Sequence, residues 1–176
     1  PDIPKLIVFE SVYSMSGTIA PIKKIVQLAK QYNALTYIDE VHGVGLYGET
    51  GAGILEQEDL QQEVDIVNGT LSKAVGVFGG YLAGSSLLID FIRSFGSGFI
   101  FTTSLPPALC AAATKSLQLI RENKNLRKTF FENVKNLRNS LATNKIAFKE
   151  NDSHITIIPV KDAGYCRLVA DKLLAE

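Results

Sequence analysis

The sequence alternates between short apolar runs and stretches with helical periodicity, and this alternation restricts the chain to few architectures. Residues 21–31, for example, place Ile22, Ile25, Val26 and Ala29 on one helical face. Strands that alternate with helices predict βαβ units and an α/β fold with a mainly parallel sheet. The runs typical of strands in the first half lie at 6–9, 35–38, 65–67 and 78–83.

The second half of the sequence changes character near Thr143. Its periodicity predicts three helices, then two strand candidates and a last helix. We therefore expect residues 1–143 to be part of a large domain and 144–176 to begin a small αβ C-terminal domain. The predicted helices are 87–95, 106–121, 126–141 and 163–174, and the strand candidates are 146–148 and 155–158.

The start of the sequence, Pro1 to Pro4, leads directly into the first predicted strand. This suggests that the chain is a fragment whose true N-terminus lies elsewhere.

Charge and composition argue against several classes of function. Lys plus Arg and Asp plus Glu balance at 18 each, so we expect no basic surface for nucleic acid and no polybasic membrane patch. No apolar run reaches the about 20 residues needed to span a bilayer. The two cysteines do not form a disulfide framework. A metal site is weakly supported, because His42 and His154 lie far apart in sequence.

Polar residues follow directly on three of the predicted strands. They form the groups 11–14, 39–42 and 70–73. In open parallel sheets, ligands gather at the carboxyl ends of the strands. These three groups are therefore the candidates for a functional site.

Asp39, His42 and Lys73 carry the most informative chemistry in these groups. Each has an ordinary explanation: a carboxylate in a cap or salt bridge, a hydrogen-bonded histidine, and a lysine that reaches solvent. A lysine in Gly-, Val- and Ala-rich surroundings can also lose water, which lowers its pKa and favours a Schiff base. Together the three residues supply an acid, a donor and an amine for pyridoxal phosphate, which remains one option among several.

The glycine-rich stretch 43–48 reads G-V-G-L-Y-G and formally matches a dinucleotide fingerprint. It opens no evident helix, and no acidic residue ends a second strand at the expected distance. We therefore do not predict a dinucleotide site.

Three segments in the same order resemble the α-oxoamine synthases. They are 36–48 around Asp39 and His42, 69–74 around Lys73, and 99–107, which reads F-I-F-T-T-S-L-P-P. The resemblance extends over essentially the whole chain. It implies a pyridoxal phosphate-dependent transferase of fold type I and a homodimer with active sites shared between subunits.

The resemblance also implies roles for the residues of the first two segments. Lys73 would hold the cofactor covalently and later act as the proton-transfer base. Asp39 would pair with the cofactor's pyridinium nitrogen, and His42 would hydrogen-bond its phenolate oxygen.

Further roles follow from the same resemblance. Ser14 would lie beside the cofactor, and Thr70 would contact its phosphate. Thr102 and Thr103 would reach the phosphate of the cofactor in the partner subunit. His154 also matches a family position, for which we favour a structural role.

Within the family, Val41 before His42, the run 45–48 and the segment 99–107 favour members that condense glycine with succinyl-CoA. The implied products are 5-aminolevulinate, CoA and carbon dioxide, at the first step of a tetrapyrrole (haem) pathway, in a bacterial cytoplasm or a mitochondrial matrix. The alternatives are relatives that make 8-amino-7-oxononanoate, 2-amino-3-oxobutyrate or 3-ketosphinganine, and a catalytically dead partner subunit.

We expect the 176-residue chain alone to be inactive. The resemblance places part of the acyl-CoA pocket upstream and a carboxylate-binding arginine downstream of this sequence, and losing substrate positioning removes a large part of the rate. A condensation assay on the isolated polypeptide checks this, and measurable product would contradict it.

Overall fold

A computed structural model describes residues 3–176, so Pro1 and Asp2, on which part of the fragment interpretation rests, lie outside the described residues. Within that range four strands form one sheet in the order β1-β2-β3-β4. The first three strands are parallel, and β4 pairs antiparallel with β3. The predicted α/β fold with a mainly parallel sheet is confirmed. The strands are β1 (Leu6–Glu10), β2 (Leu35–Asp39), β3 (Ile66–Thr70) and β4 (Gly80–Gly84).

The helices agree closely with the periodicity of the sequence. The two that were not predicted, α2 and α4, have four residues each and are too short to show a period. Of the helices in residues 3–176, none combines the length and apolarity that crossing a bilayer demands. The helices are α1 (Ile22–Gln31), α2 (Ile54–Gln57), α3 (Ser86–Phe95), α4 (Ser97–Ile100), α5 (Pro107–Glu122), α6 (Lys124–Thr143) and α7 (Ala163–Leu174).

The main core lies between α1 and the sheet. Ile22, Val26 and Ala29 are buried on one face of α1, as the helical period requires. Ile22 and Val26 belong to the same apolar cluster as Phe9 of β1 and Ile38 of β2. This packing fixes β1 and β2 relative to each other, and therefore the loops that follow them.

The prediction of strands at 146–148 and 155–158 is wrong. The structure has only an isolated antiparallel bridge between Lys149 and Ile157 in this part of the described chain. Apolar runs of three or four residues carry too little information to distinguish a strand from an irregular segment.

Many of the hydrogen bonds of the segment 151–156 come instead from one side chain of α6, Arg138. Its guanidinium donates to the carbonyl oxygens of Asn151, Ser153 and Ile155 at 3.3, 2.7 and 3.1 Å. It also donates to Asn151 Oδ1 at 3.2 Å and Thr156 Oγ1 at 3.1 Å. A planar cation with five N–H donors can organise such a segment without a strand ladder.

Candidate active site

The parallel register brings the ends of three strands to one edge of the sheet. Glu10 at the end of β1 is paired with Asp39 at the end of β2, and Asp39 is paired with Asn68 of β3. Thr70 ends β3 two residues further on. The polar groups that follow β1, β2 and β3 therefore start at the same edge, as the sequence predicted.

Asp39 and His42 lie on a tight turn at the end of β2. The Asp39 carboxylate is partly buried, and its Oδ1 accepts a hydrogen bond from the Val41 N–H at 2.8 Å. The turn closes when the Gly43 and Val44 N–H groups donate to the Glu40 carbonyl at 2.8 and 2.9 Å. His42, also partly buried, is held inside this turn. The geometry places a carboxylate and an imidazole three residues apart on a fixed backbone.

Lys73 lies on the loop between β3 and β4. The Leu71 N–H donates to the Gly79 carbonyl at 2.9 Å and closes the loop. At its start, the hydroxyl of Thr70, the last residue of β3, lies 2.8 Å from the hydroxyl of Ser72. Two hydroxyls and a lysine amine are thus presented on one short loop.

Of the two alternatives for Lys73, the structure of this chain favours the lysine that reaches solvent. Its apolar neighbours Leu71 and Val75 are buried, but Lys73 itself is exposed. The lysine amine forms no salt bridge with any residue between 3 and 176. It is therefore accessible to a ligand at this edge.

The loop that follows His42 packs against the loop that carries Lys73. Gly45 has a φ of +88°, and a Cβ added there would collide with the Ala74 side chain. Only glycine allows this close approach at this backbone conformation. Gly45 is followed by turns, and the next helix begins at Ile54, so the glycine-rich stretch does not open a helix.

The other predicted site residues lie at the surface. Ser14 is exposed, and its N–H donates to Glu10 Oε2 at 3.0 Å. Thr102 and Thr103 are exposed in the irregular segment after α4. Among residues 3–176, no side-chain hydrogen bond joins either threonine to Asp39 or Lys73. The structure therefore brings the ends of β2 and β3 together but does not link these threonines to them.

Glu40 is a polar residue of this region that sequence reasoning missed. It is 0% exposed, and it accepts hydrogen bonds from Ser11 Oγ at 2.6 Å and from the Leu55 N–H at 2.7 Å. Burial raises the pKa of the Glu40 carboxyl, against the lowering effect of the hydrogen bonds from Ser11, Leu55 and Ile54. The sequence did show an acidic residue after a buried strand, with glycines nearby. It could not show the hydrogen-bond partners of Glu40, because Ser11 and Leu55 are distant from it in sequence.

His154 packs against the same glycine-rich loop. The imidazole Nδ1 lies 3.0 Å from Tyr47 Oη, and the backbone N–H of His154 donates to the same oxygen at 3.0 Å. The Phe130 ring packs edge-on at 5.6 Å. Burial lowers the pKa of His154 from 6.5 to about 4, with smaller contributions from His42 and Arg138. A neutral imidazole therefore joins the segment 151–156 to this loop.

The donor set at the sheet edge suits an organic cofactor. Asp39 offers a carboxylate, His42 an imidazole, Lys73 an amine, and Thr70 and Ser72 hydroxyls. A cofactor with a basic ring nitrogen, an acidic ring oxygen, an electrophilic carbonyl and an anionic group finds a matching partner for each. Within the described range, no three His, Cys, Asp or Glu side chains are grouped as metal ligands.

Comparison with known proteins defines the class of this chain. The profile of the family described as "Aminotransferase class I and II" matches residues 2–176. The chain belongs to this family.

The chain is also similar to a protein of known name. A 5-aminolevulinate synthase from Rhizobium meliloti is 51% identical over 174 residues, which cover 99% of this chain and 43% of that protein. The chain thus spans less than half the length of this relative.

Two solved structures are also similar. A serine palmitoyltransferase from S. paucimobilis with bound PLP has a TM-score of 0.87 and 34% identity, and the match covers 93% of this chain and 43% of that one. An 8-amino-7-oxononanoate synthase from Francisella tularensis has a TM-score of 0.82 and 25% identity, with coverage of 99% and 52%.

The lowered pKa of His154 predicts a pH-dependent contribution to stability. Between pH 6.5 and about 4 the unfolded chain binds a proton on this histidine that the folded chain does not, so stability falls as pH falls through this window. Above pH 6.5 the histidine is neutral in both states and the effect vanishes.

A His154→Asn variant of the full-length protein tests this contribution. The difference in unfolding free energy between wild type and variant should be constant above pH 6.5. Towards pH 4 the wild type should lose more unfolding free energy than the variant. Urea unfolding at several pH values measures it. A difference that stays constant across the whole range would contradict the prediction.

Proposed function

We propose that the complete protein is a pyridoxal phosphate-dependent acyltransferase that condenses glycine with succinyl-CoA. The products are 5-aminolevulinate, CoA and carbon dioxide, at the first step of haem biosynthesis. The observation that carries the proposal is the set Asp39, His42, Thr70 and Lys73 on two touching loops at one sheet edge. The similarity to 5-aminolevulinate synthases over 99% of the chain supports the choice of reaction.

The proposed site assigns one function to each side chain. The Asp39 carboxylate, oriented by the Val41 N–H, would pair with the ring nitrogen and keep it protonated. His42 donates an N–H to the ring oxygen. The hydroxyl of Thr70 would contact the phosphate. When bound, pyridoxal phosphate supplies an electron sink for the carbanion formed at the α-carbon of the amino acid.

Lys73 has two functions in this proposal. Its exposed amine holds the cofactor covalently in the absence of substrate. When glycine takes its place, the freed amine removes and returns a proton at the glycine α-carbon.

The remaining assignments concern the rest of the protein. We propose a homodimer in which Ser14 lies beside the cofactor of its own subunit, while Thr102 and Thr103 contact the phosphate of the partner's cofactor. Residues 1–143 would belong to the large domain, and 144–176 would begin the small one. The protein would act in a bacterial cytoplasm or in the mitochondrial matrix.

A second candidate is another α-oxoamine synthase with a different amino acid or acyl-CoA. The similarity to a serine palmitoyltransferase and to an 8-amino-7-oxononanoate synthase supports it, because both share the fold of this chain over most of its length. The presence of Lys73 argues against a catalytically dead partner subunit, because such a subunit has no need of the lysine that holds the cofactor.

Product analysis with the full-length protein decides between these candidates. Glycine with succinyl-CoA should give 5-aminolevulinate, whereas serine or alanine with other acyl-CoAs should give little product. Mass spectrometry of the products and release of CoA provide two independent readouts. Faster turnover of serine with a long-chain acyl-CoA, or of alanine, than of glycine with succinyl-CoA would contradict the proposed reaction and support the second candidate.

The role of Lys73 predicts the loss of the lysine-linked cofactor in the full-length Lys73→Ala variant. Without the amine no covalent link can form, so the visible absorption band of the linked cofactor should disappear and condensation should fall by at least about a thousandfold.

Lys23→Ala is a matched control, because Lys23 is an exposed lysine on α1. It should keep both the band and the activity. An unchanged band in the Lys73→Ala variant would exclude Lys73 as the attachment point.

A further inference from the structure

The buried carboxylate of Glu40 lies directly behind the proposed cofactor residues. It sits between Asp39 and the turn that carries His42, and it is 0% exposed. Its two oxygens have different partners: Oε2 accepts from Ser11 Oγ at 2.6 Å, and Oε1 accepts from the Leu55 N–H at 2.7 Å. A carboxylate is costly to bury, so both contacts must be well formed for the residue to be tolerated there.

The backbone of Glu40 is fixed as tightly as its side chain. Its N–H donates to the Asn68 carbonyl of β3 at 2.9 Å. Its own carbonyl accepts from the N–H groups of Gly43 and Val44, which close the turn. One residue therefore connects the end of β2 with β3 and with the turn that contains His42.

Two glycines pack directly on the Glu40 side chain. A Cβ at Gly43 would collide with Oε2, and a Cβ at Gly53 would lie 2.7 Å from Cδ. Gly53 also has a φ of +114° and precedes α2. Both ends of the loop 43–53 thus close around the same carboxylate, so the position of the loop depends on it.

We propose that Glu40 is a positioning residue, which fixes Asp39 and His42 in the orientation that binds the cofactor. The inference rests on the proposed function and adds a residue that does not touch the cofactor. Glu40 acts through the backbone on either side of it. The hydrogen bonds to Ser11 and Leu55 prevent the turn from rotating when a ligand engages the imidazole.

Three substitutions of Glu40 separate geometry from charge. In Glu40→Gln the amide oxygen can accept from the Leu55 N–H and the amide NH₂ can donate to Ser11 Oγ, so the contacts survive without the charge. Glu40→Asp keeps the charge, but its shorter side chain cannot span both partners. Glu40→Ala removes both contacts and leaves a cavity.

The test measures the affinity of each full-length apoprotein for pyridoxal 5′-phosphate by equilibrium dialysis. The pH midpoint of the cofactor absorption band serves as the second readout. We expect Glu40→Gln to stay within about threefold of wild type, and Glu40→Asp and Glu40→Ala to bind about ten- to a hundredfold more weakly with a displaced midpoint. Should Glu40→Ala fail to fold, Ser11→Ala removes one partner only and should weaken binding in the same direction.

Thr36→Val is the matched control for a general loss of stability. Thr36 is 1% exposed at the opposite end of β2, where its hydroxyl donates to Asp65 Oδ2 at 2.8 Å and accepts from the Asp65 N–H at 2.9 Å. This variant should lower the melting temperature but leave cofactor affinity and the band midpoint unchanged.

The outcomes distinguish this inference from the proposed function. If Glu40→Asp and Ser11→Ala lose stability but keep wild-type affinity and midpoint, like Thr36→Val, the positioning role is excluded. If Glu40→Gln loses affinity as strongly as Glu40→Ala, charge matters more than geometry and the role as stated is also excluded. A wild-type protein that does not bind pyridoxal phosphate would overturn the proposed function, and the positioning role with it.

Discussion

The shared direction of β1, β2 and β3 determines where the candidate active site lies. Because the three strands are parallel, β1 and β2 are each followed by a connection that returns over the sheet, and all three strands deliver their next residues to the same edge. Asp39 and Thr70 come together for this reason although 30 residues separate them. The glycine at position 45 then allows the two loops to touch. A change in the direction of one strand would separate the carboxylate from the amine.

Behind this edge lies a second layer of polar contacts. The Glu40 carboxylate is completely enclosed, yet it is satisfied by Ser11 from the end of β1 and by Leu55 from the start of α2. Such a group stabilises one arrangement of the surrounding backbone more than the alternatives, because every other arrangement leaves it without partners. The glycines at 43 and 53 are a consequence, since any larger side chain would collide with the carboxylate.

The four strands of the sheet and the long helices were accessible from the sequence, because local periodicity carries that information, whereas the short apolar runs at 146–148 and 155–158 were misleading. Asp39, His42 and Lys73 were also identifiable as polar residues after apolar runs. The contacts that organise them were not, since Glu40 and Ser11 are 29 residues apart and Tyr47 and His154 are 107 apart. The sequence left open whether Lys73 reaches solvent; in the structure its apolar neighbours Leu71 and Val75 are buried and the lysine is exposed.

The segment 151–156 is ordered in a different way from the sheet, and this has a consequence for its dynamics. Its carbonyl groups are bound by Arg138 and not by a strand ladder, apart from one bridge between Lys149 and Ile157. Its N–H groups donate to side chains: Ser153 to Asn151 Oδ1, His154 to Tyr47 Oη and Ile155 to Ser153 Oγ. Loss of the Arg138 contacts would therefore loosen the segment, because only side-chain contacts of this kind would remain. Its amide protons should exchange with solvent through a local opening of low free energy, long before those of β1 to β3. His154 would move with the segment, and the loop that contains Tyr47 would lose a neighbour.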